Sequence, residues 1–472
     1  MSDRRVFHWA TTSTRLLAGT AVSAVAAVAV VTAVSVPWPT LTREPLSIST
    51  VPAPSASVAS CDGGLLSLGR DVDDVEAISL VKGQVLTSGV SEGAEDPQEQ
   101  VLNVPGLPEG DGPTVFTSPP RERERVDLAA AGAATATDDD LAGYAASACR
   151  PPLLESWLVG GSGETGASDL VLLANPGVVP ARVQLTVYGA DGPTTPPGGT
   201  DLVVPAGEQR VIPLAGLLIG EASPVVRVSA VGAAIHASLQ ASITRTLTPG
   251  GVDQVGAVAE PQAVQTITGV AVTRNPGADG ASDAATVLRV LSPSTDTTAK
   301  ITVTATGRAE PSLEPDDVPL TAGEPVEVDL SGLARGTYTV QVTADAPLVS
   351  AVWQTTGFEE GDDFAWYTPS PPIGVPSLFA VPSGPPPALT LVNPGDKPAE
   401  VSLTSADGSY KLELAVPANG SMTARLSTRT VYVLDPGTSE VRAGISLTGN
   451  RALAGIPVWP ADAAAPEIVV YP

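Results

Sequence analysis

The stretch "NPGVVPARVQLT" at Asn175–Thr186 returns as "NPGDKPAEVSLT" at Asn393–Thr404, with eight of twelve positions identical and no gap. An offset copy lies between them, where "ARVQLTVYG" (Ala181–Gly189) answers "AKITVTATG" (Ala299–Gly307). In the first copy Val183, Leu185 and Val187 share one face while Gln184 and Thr186 share the other, the two-residue period of a half-buried strand. The Asn-Pro-Gly ahead of it supplies the dihedrals of a tight turn. The pattern continues outward from this module. "VPAGEQRVIPLAGL" (Val204–Leu217) recurs as "LTAGEPVEVDLSGL" (Leu320–Leu333) and more loosely as "VPANGSMTARL" (Val416–Leu426). "VRVSAVGAAIHASLQ" (Val226–Gln240) lies ungapped against "VQVTADAPLVSAVWQ" (Val340–Gln354), and "ISLTGNRALAG" (Ile445–Gly455) echoes both. A fixed module order repeated over roughly a hundred residues per copy predicts three tandem domains.

The expected fold class is therefore all-β: tandem immunoglobulin-like antiparallel β-sandwich repeats behind one N-terminal transmembrane helix. The repeats fall at 157–262, 263–372 and 373–472. Ahead of them come a cytoplasmic N-terminus (1–15), a signal anchor (16–36), a Pro/Ser-rich linker (37–60) and a β-rich segment bracketed by cysteines (61–156). No charge interrupts Leu16–Thr42, and Arg4, Arg5 and Arg15 precede it, so the chain is expected to sit N-inside with its bulk outside the cytoplasm. The alternative is a secreted protein cleaved after a signal peptide near Ala33-Val34-Ser35. Cys61 and Cys149 are the only cysteines, and in an exported chain they read as one disulfide. Closing such a loop stabilises by roughly 4–5 kcal/mol in the chain-entropy model. Its loss is expected to loosen the N-terminal segment and spare the repeats.

Composition narrows function. The 472 residues carry a net charge of −26, which argues against nucleic acid, whose phosphates demand Lys and Arg. Lysine occurs four times against a larger number of arginines, and with the Ala/Val/Gly/Pro excess this suggests a high-GC, actinobacterial source. Gly and Pro, 46 each, punctuate short Val/Thr/Leu runs as in all-β repeats.

Catalytic signatures are sparse. "GSGETGAS" (Gly161–Ser168) matches a phosphate-binding loop except that Ala167 replaces the lysine. Strand-like sequence flanks it on both sides, whereas a phosphate loop opens a helix, so it reads as a turn. His236 is the only histidine beyond the anchor. Alternation places Ile235, Ala237 and Leu239 inward and His236 outward, and Ser350 answers it in the sister repeat, so it reads as a solvent-facing strand residue. That removes serine–histidine and cysteine–histidine catalysis. The richest cluster is "GFEEGDDFAWY" (Gly357–Tyr367), a candidate ligand loop through Phe358, Asp362, Asp363, Trp366 and Tyr367. "GVDQVGAVAEP" (Gly251–Pro261) fills the same place after the first repeat, with Asp253 answering Asp363, which favours an inter-domain linker instead. "DVDD" (Asp71–Asp74) and "DDD" (Asp138–Asp140) lack the glycine and distal glutamate of a calcium loop and read as solvated.

The anchor, "SACRPPLLESWLVGGS" (Ser147–Ser162), the Asn-Pro-Gly module and "PGGVDQV" together resemble an actinobacterial family of uncharacterised, membrane-anchored exported proteins, a family built on a domain of unknown function. The resemblance implies an envelope location and a β-rich fold, and transfers no site. The expected function is a non-enzymatic structural or interaction protein of the cell envelope, its repeats supplying reach and rigidity. A carbohydrate-binding protein and a carboxylate-dependent hydrolase are the alternatives. No cofactor is expected, and the expected partners are the cytoplasmic membrane through 16–36 and an envelope protein or glycan.

Overall fold

The computed structural model describes residues 17–32, 48–50, 55–70, 73–74, 77–122, 124–274, 285–461 and 468–470. It divides into two units. The smaller holds a helix over 17–32 and a short antiparallel pairing of Ile48–Thr50 with Ile468–Val470. No helix among the described residues is long and apolar enough to cross a membrane. The expected 16–36 span runs past the described residues at both ends; the 1–15 N-terminus, Ala33-Val34-Ser35, most of the 37–60 linker, and Asp71 and Val72 of "DVDD" lie outside them.

The larger unit, Ala53–Ala465, is all-β and antiparallel. In the first sandwich one sheet runs Glu155–Val159, Val225–Val231, Ala181–Gly189, Gly192–Thr194, and Leu202–Val204 also pairs with the third of these. The other runs Glu208–Pro213, Leu170–Asn175, His236–Arg245, Thr248–Gly256. The third sandwich repeats this order, with Ser377–Val381, Thr430–Asp435, Ala399–Ser405, Lys411–Val416 facing Gly420–Arg425, Pro387–Asn393, Arg442–Gly449, Ala452–Pro457. The second follows it too, except that one 20-residue strand, Gly336–Thr355, serves both sheets. Its first half pairs with Gln262–Val272 and Thr297–Ala305, its second half with Thr286–Leu291 and Phe364–Tyr367. This order is not that of an immunoglobulin constant domain, where the first, second, fifth and fourth strands share a sheet. Here most successive main strands cross to the opposite sheet, and the last pair forms a hairpin.

The Asn-Pro-Gly module makes that crossing. Asn175 is fully buried. Its Nδ2 donates to the carbonyls of Val179 and Val204, both at 2.9 Å, and its Oδ1 accepts from Gly177 N at 3.0 Å. Asn393 does the same for Lys397, Val416 and Gly395. In the second sandwich Ser292 takes the place, its hydroxyl donating to Thr295 O at 2.6 Å. Gly207 and Gly323, both at positive φ, then send their amides back to the carbonyls of Asn175 and Ser292. "GSGETGAS" is a turn, as expected, leading directly into Leu170–Asn175.

The modules do not follow one another as separate beads. The N-terminal segment, closed by the Cys61–Cys149 disulfide, covers the outer face of the Leu170–Asn175 sheet of the first sandwich. It also packs Ala133, Tyr144 and Ala146 into the core of the third sandwich. Leu291, Val349 and Ala351 of the second sandwich belong to the core of the first. Leu453 of the third belongs to the core of the second. Within the larger unit the modules therefore share cores with one another. Gly251–Pro261 and Gly357–Tyr367 are not linkers either, because each contains part or all of the closing strand of its sandwich.

Candidate functional site

Where the first and second sandwiches meet, an open cleft of about 520 Å³ lies between the "GSGETGAS" turn and the outer face of the second sandwich's Thr286–Leu291 sheet. Register explains its lining. Val287 pairs with Trp353 and Trp353 with Trp366, so these side chains project from one face of adjacent strands. Trp353 and Phe358 are half-buried, while Phe364 and Trp366 are buried beneath them. The Trp353 and Phe364 rings lie 6.1 Å apart and tilted. Arg289 forms part of the floor, 3% exposed, its guanidinium 4.8 Å from the centre of the Trp366 ring. It donates to the carbonyls of Gly161 and Pro224 and, through Nε and Nη2, to Glu327. Arg245 covers the Phe358 ring at 5.3 Å on the rim. Glu164 is exposed on the opposite lip.

Asp169 sits at the back of this cleft, and its two oxygens accept from the amides of Ser162 at 2.6 Å and Ser242 at 2.8 Å. Burial pushes it up to about 6, against the pull of those amides and of Arg289. Its carboxyl shapes the turn.

The candidate ligand loop is split by the structure. Phe358 and Trp366 line the cleft, and Asp362, Asp363 and Tyr367 do not. Asp362 is held by Arg274 at 3.1 Å and accepts the Glu359 amide. Asp363 is fully buried and accepts from Tyr144 N at 3.0 Å and Val252 N at 3.2 Å, tying the N-terminal hairpin to both sandwiches. Burial pushes it up to about 8 despite those bonds. Asp253, its counterpart in the first repeat, accepts from Trp366 N at 2.7 Å, so each aspartate reaches into the other's strand. Burial raises Asp253 well above the ordinary range, and the nearby Asp363 adds to the shift. Tyr367 is buried against the third sandwich, beside Gly455. Asp138 and Asp140, expected to be solvated only, both hold Arg70.

His236 overturns its expectation. It is 5% exposed, and its Nε2 lies 2.7 Å from Oδ1 of Asp62, itself 1% exposed. Ile235, Ala237 and Leu239 do face the core, as alternation predicts. The opposite face meets protein rather than water. Gln240 brackets Leu66 with both ends of its amide, at 2.8 Å to the N–H and 2.7 Å to the carbonyl. Gln209 and Gln254 donate to the carbonyls of Asp62 and Gly63. Burial pushes the Asp62 carboxyl up, but the hydrogen bond and charge of His236, with the hydroxyls of Ser147 and Ser238, hold it below the ordinary value. Ser350 is buried as well, bonded to Gln265. A run of polar residues at every second position was the available signal, and it has two readings, solvent or a docked polar backbone. Among the described residues no group of three or more His, Cys, Asp or Glu is placed to hold a metal ion.

A family model of unknown function, DUF5719, matches residues 106–426. The chain belongs to this family. The DUF5719 match takes in every residue lining the cleft, the Asp253–Asp363 exchange and His236, while Cys61 and Asp62 precede it. No curated protein matches the chain.

Proposed function

We propose that the protein is a non-enzymatic, extracytoplasmic structural or interaction protein of the cell envelope, tethered to the cytoplasmic membrane through residues 16–36, in an actinobacterial host. The supporting observation is how its buried carboxylates are used. Asp62, Asp169, Asp253, Asp362 and Asp363 each hold a backbone amide, an arginine or the histidine that fastens one module to another or shapes a turn. Asp169, the buried carboxylate of the cleft, likewise has both oxygens committed to amides. The Cys61–Cys149 disulfide favours an oxidising compartment.

The test is topological. Membranes washed with carbonate should retain the full chain, and protease added outside the cell should digest it. Cys61 and Cys149 should resist alkylation until reduced. A soluble cytoplasmic pool with both thiols free would refute the proposal.

A further inference from the structure

We propose that the cleft between the first and second sandwiches is a saccharide-binding site, an inference that rests on the envelope-binding reading above and names its ligand class. Three features converge. Trp353 and Phe358 present partly exposed rings inside a concavity, held by a second aromatic layer of Phe364 and Trp366. Rings supported in this way keep their orientation at little entropic cost, and a flat ring is the surface on which the C–H face of a pyranose stacks. Around them stand both acceptors and donors: the exposed carboxylates of Glu164 and Glu327 and the guanidinium of Arg245. A sugar's hydroxyls donate and accept together, so mixed polar groups beside an aromatic face suit it. An aromatic cage with acids alone would suit a quaternary ammonium instead. The volume, about 520 Å³, falls within the range of small-ligand pockets of roughly 300–1,000 Å³.

The floor is built for permanence. Arg289 spends its donors on Gly161 O, Pro224 O and Glu327, and so fixes the two sandwiches relative to each other beneath the rings. Gly160 leaves room for this packing, since a methyl there would lie 3.3 Å from the Trp366 ring. The ligand groups are then Trp353 and Phe358 for stacking, with Glu164, Glu327 and Arg245 for hydroxyls. Asp169 and Arg289 are positioning residues.

The experiment uses the full-length chain in detergent on an array of neutral and acidic oligosaccharides, followed by titration of the best ligand with tryptophan fluorescence as readout. Binding should shift the emission of Trp353. Trp353→Ala should weaken affinity by at least about tenfold, and Glu164→Gln, an exposed change that leaves folding alone, by a smaller factor. Full affinity retained in both Trp353→Ala and Phe358→Ala would overturn the proposal, as would a folded protein that binds no saccharide or takes only cationic peptides. The two readings fail separately. Ligand cleavage during titration would sink the non-enzymatic reading and leave the site standing, whereas a surface-exposed protein that ignores every glycan would sink the site alone.

Discussion

Asp62 and His236 form a buried hydrogen-bonded pair between the N-terminal segment and the first sandwich, and their fates are tied. Removing the imidazole leaves the buried Asp62 carboxyl without that partner, and a buried group left unsatisfied costs about 1–3 kcal/mol. His236→Ser should therefore lower the urea midpoint of unfolding substantially. A midpoint matching that of the parent would restore the solvent-facing reading that alternation suggested. Sequence alone gave the correct inward set, Ile235, Ala237 and Leu239, because a period of two fixes sidedness. It could not give the partner, because Asp62 lies 174 positions away. The aspartates carry a second expectation, about pH. Asp363 is raised to about 8 in the folded chain, Asp169 to about 6, and Asp253 also stands high, all mainly through burial. Groups raised on folding bind more protons folded than unfolded, so their contribution is complete below about 4 and is lost as pH rises through 6 to 8. Stability should fall from pH 5 to pH 9 in urea titrations, and Asp363→Asn should flatten the slope. Greater stability at pH 9 than at pH 5 would contradict the burial argument.

At the scale of the element, the turn was legible and its mechanism was not. Asn-Pro-Gly predicts a turn from backbone preference alone. The structure adds that the asparagine is buried and joins a carbonyl of its own turn to one at the end of a later strand, which is why the same residue opens the module in the first and third sandwiches. Ser292 performs part of the task with a different side chain, so the second copy was recognisable only downstream, at Ala299–Gly307. Asn393→Ala should leave the carbonyls of Lys397 and Val416 unpaired by the side chain. The Val416 bond is buried and the Lys397 bond only partly so, and at about 1–3 kcal/mol for a buried group left unsatisfied a loss of about 1–3 kcal/mol is expected in chemical denaturation. A loss under half a kilocalorie would mean that water replaces the amide. The closing strands offer a steric counterpart. Gly251 has φ +116, and a methyl there would lie 2.7 Å from Asp363 and Phe364. Gly251→Ala should thus disturb the junction of the two sandwiches as well as its own strand. The sequence placed "GVDQVG" and "GDDFAW" as corresponding segments, and that correspondence proved to be a physical exchange between Asp253 and Asp363.

At the scale of the whole molecule, three repeats in sequence suggest three units that unfold in turn. Shared cores argue otherwise. Residues of the second sandwich complete the core of the first, Leu453 completes that of the second, and the Leu128–Cys149 hairpin enters that of the third. Such mixing was illegible because it depends on faces that alternation marks only as polar or small: Ala129 and Ala131 meet Ala380 and Val431. Modules that bury one another's surfaces lose stability together, and equilibrium unfolding then approaches an all-or-none transition. Calorimetry of the oxidised chain should show one main endotherm, with van't Hoff and calorimetric enthalpies close to each other. Cys61→Ser opens a loop spanning 88 positions, and the chain-entropy model sets the cost at roughly 4–5 kcal/mol as an upper bound. Because the segment it staples lies against both the first and the third sandwich, the variant should move the entire endotherm to lower temperature. An early, separate transition in the variant, with the remaining unfolding unmoved, would show that the N-terminal segment melts by itself. The repeats would then regain the independence that their sequence suggests.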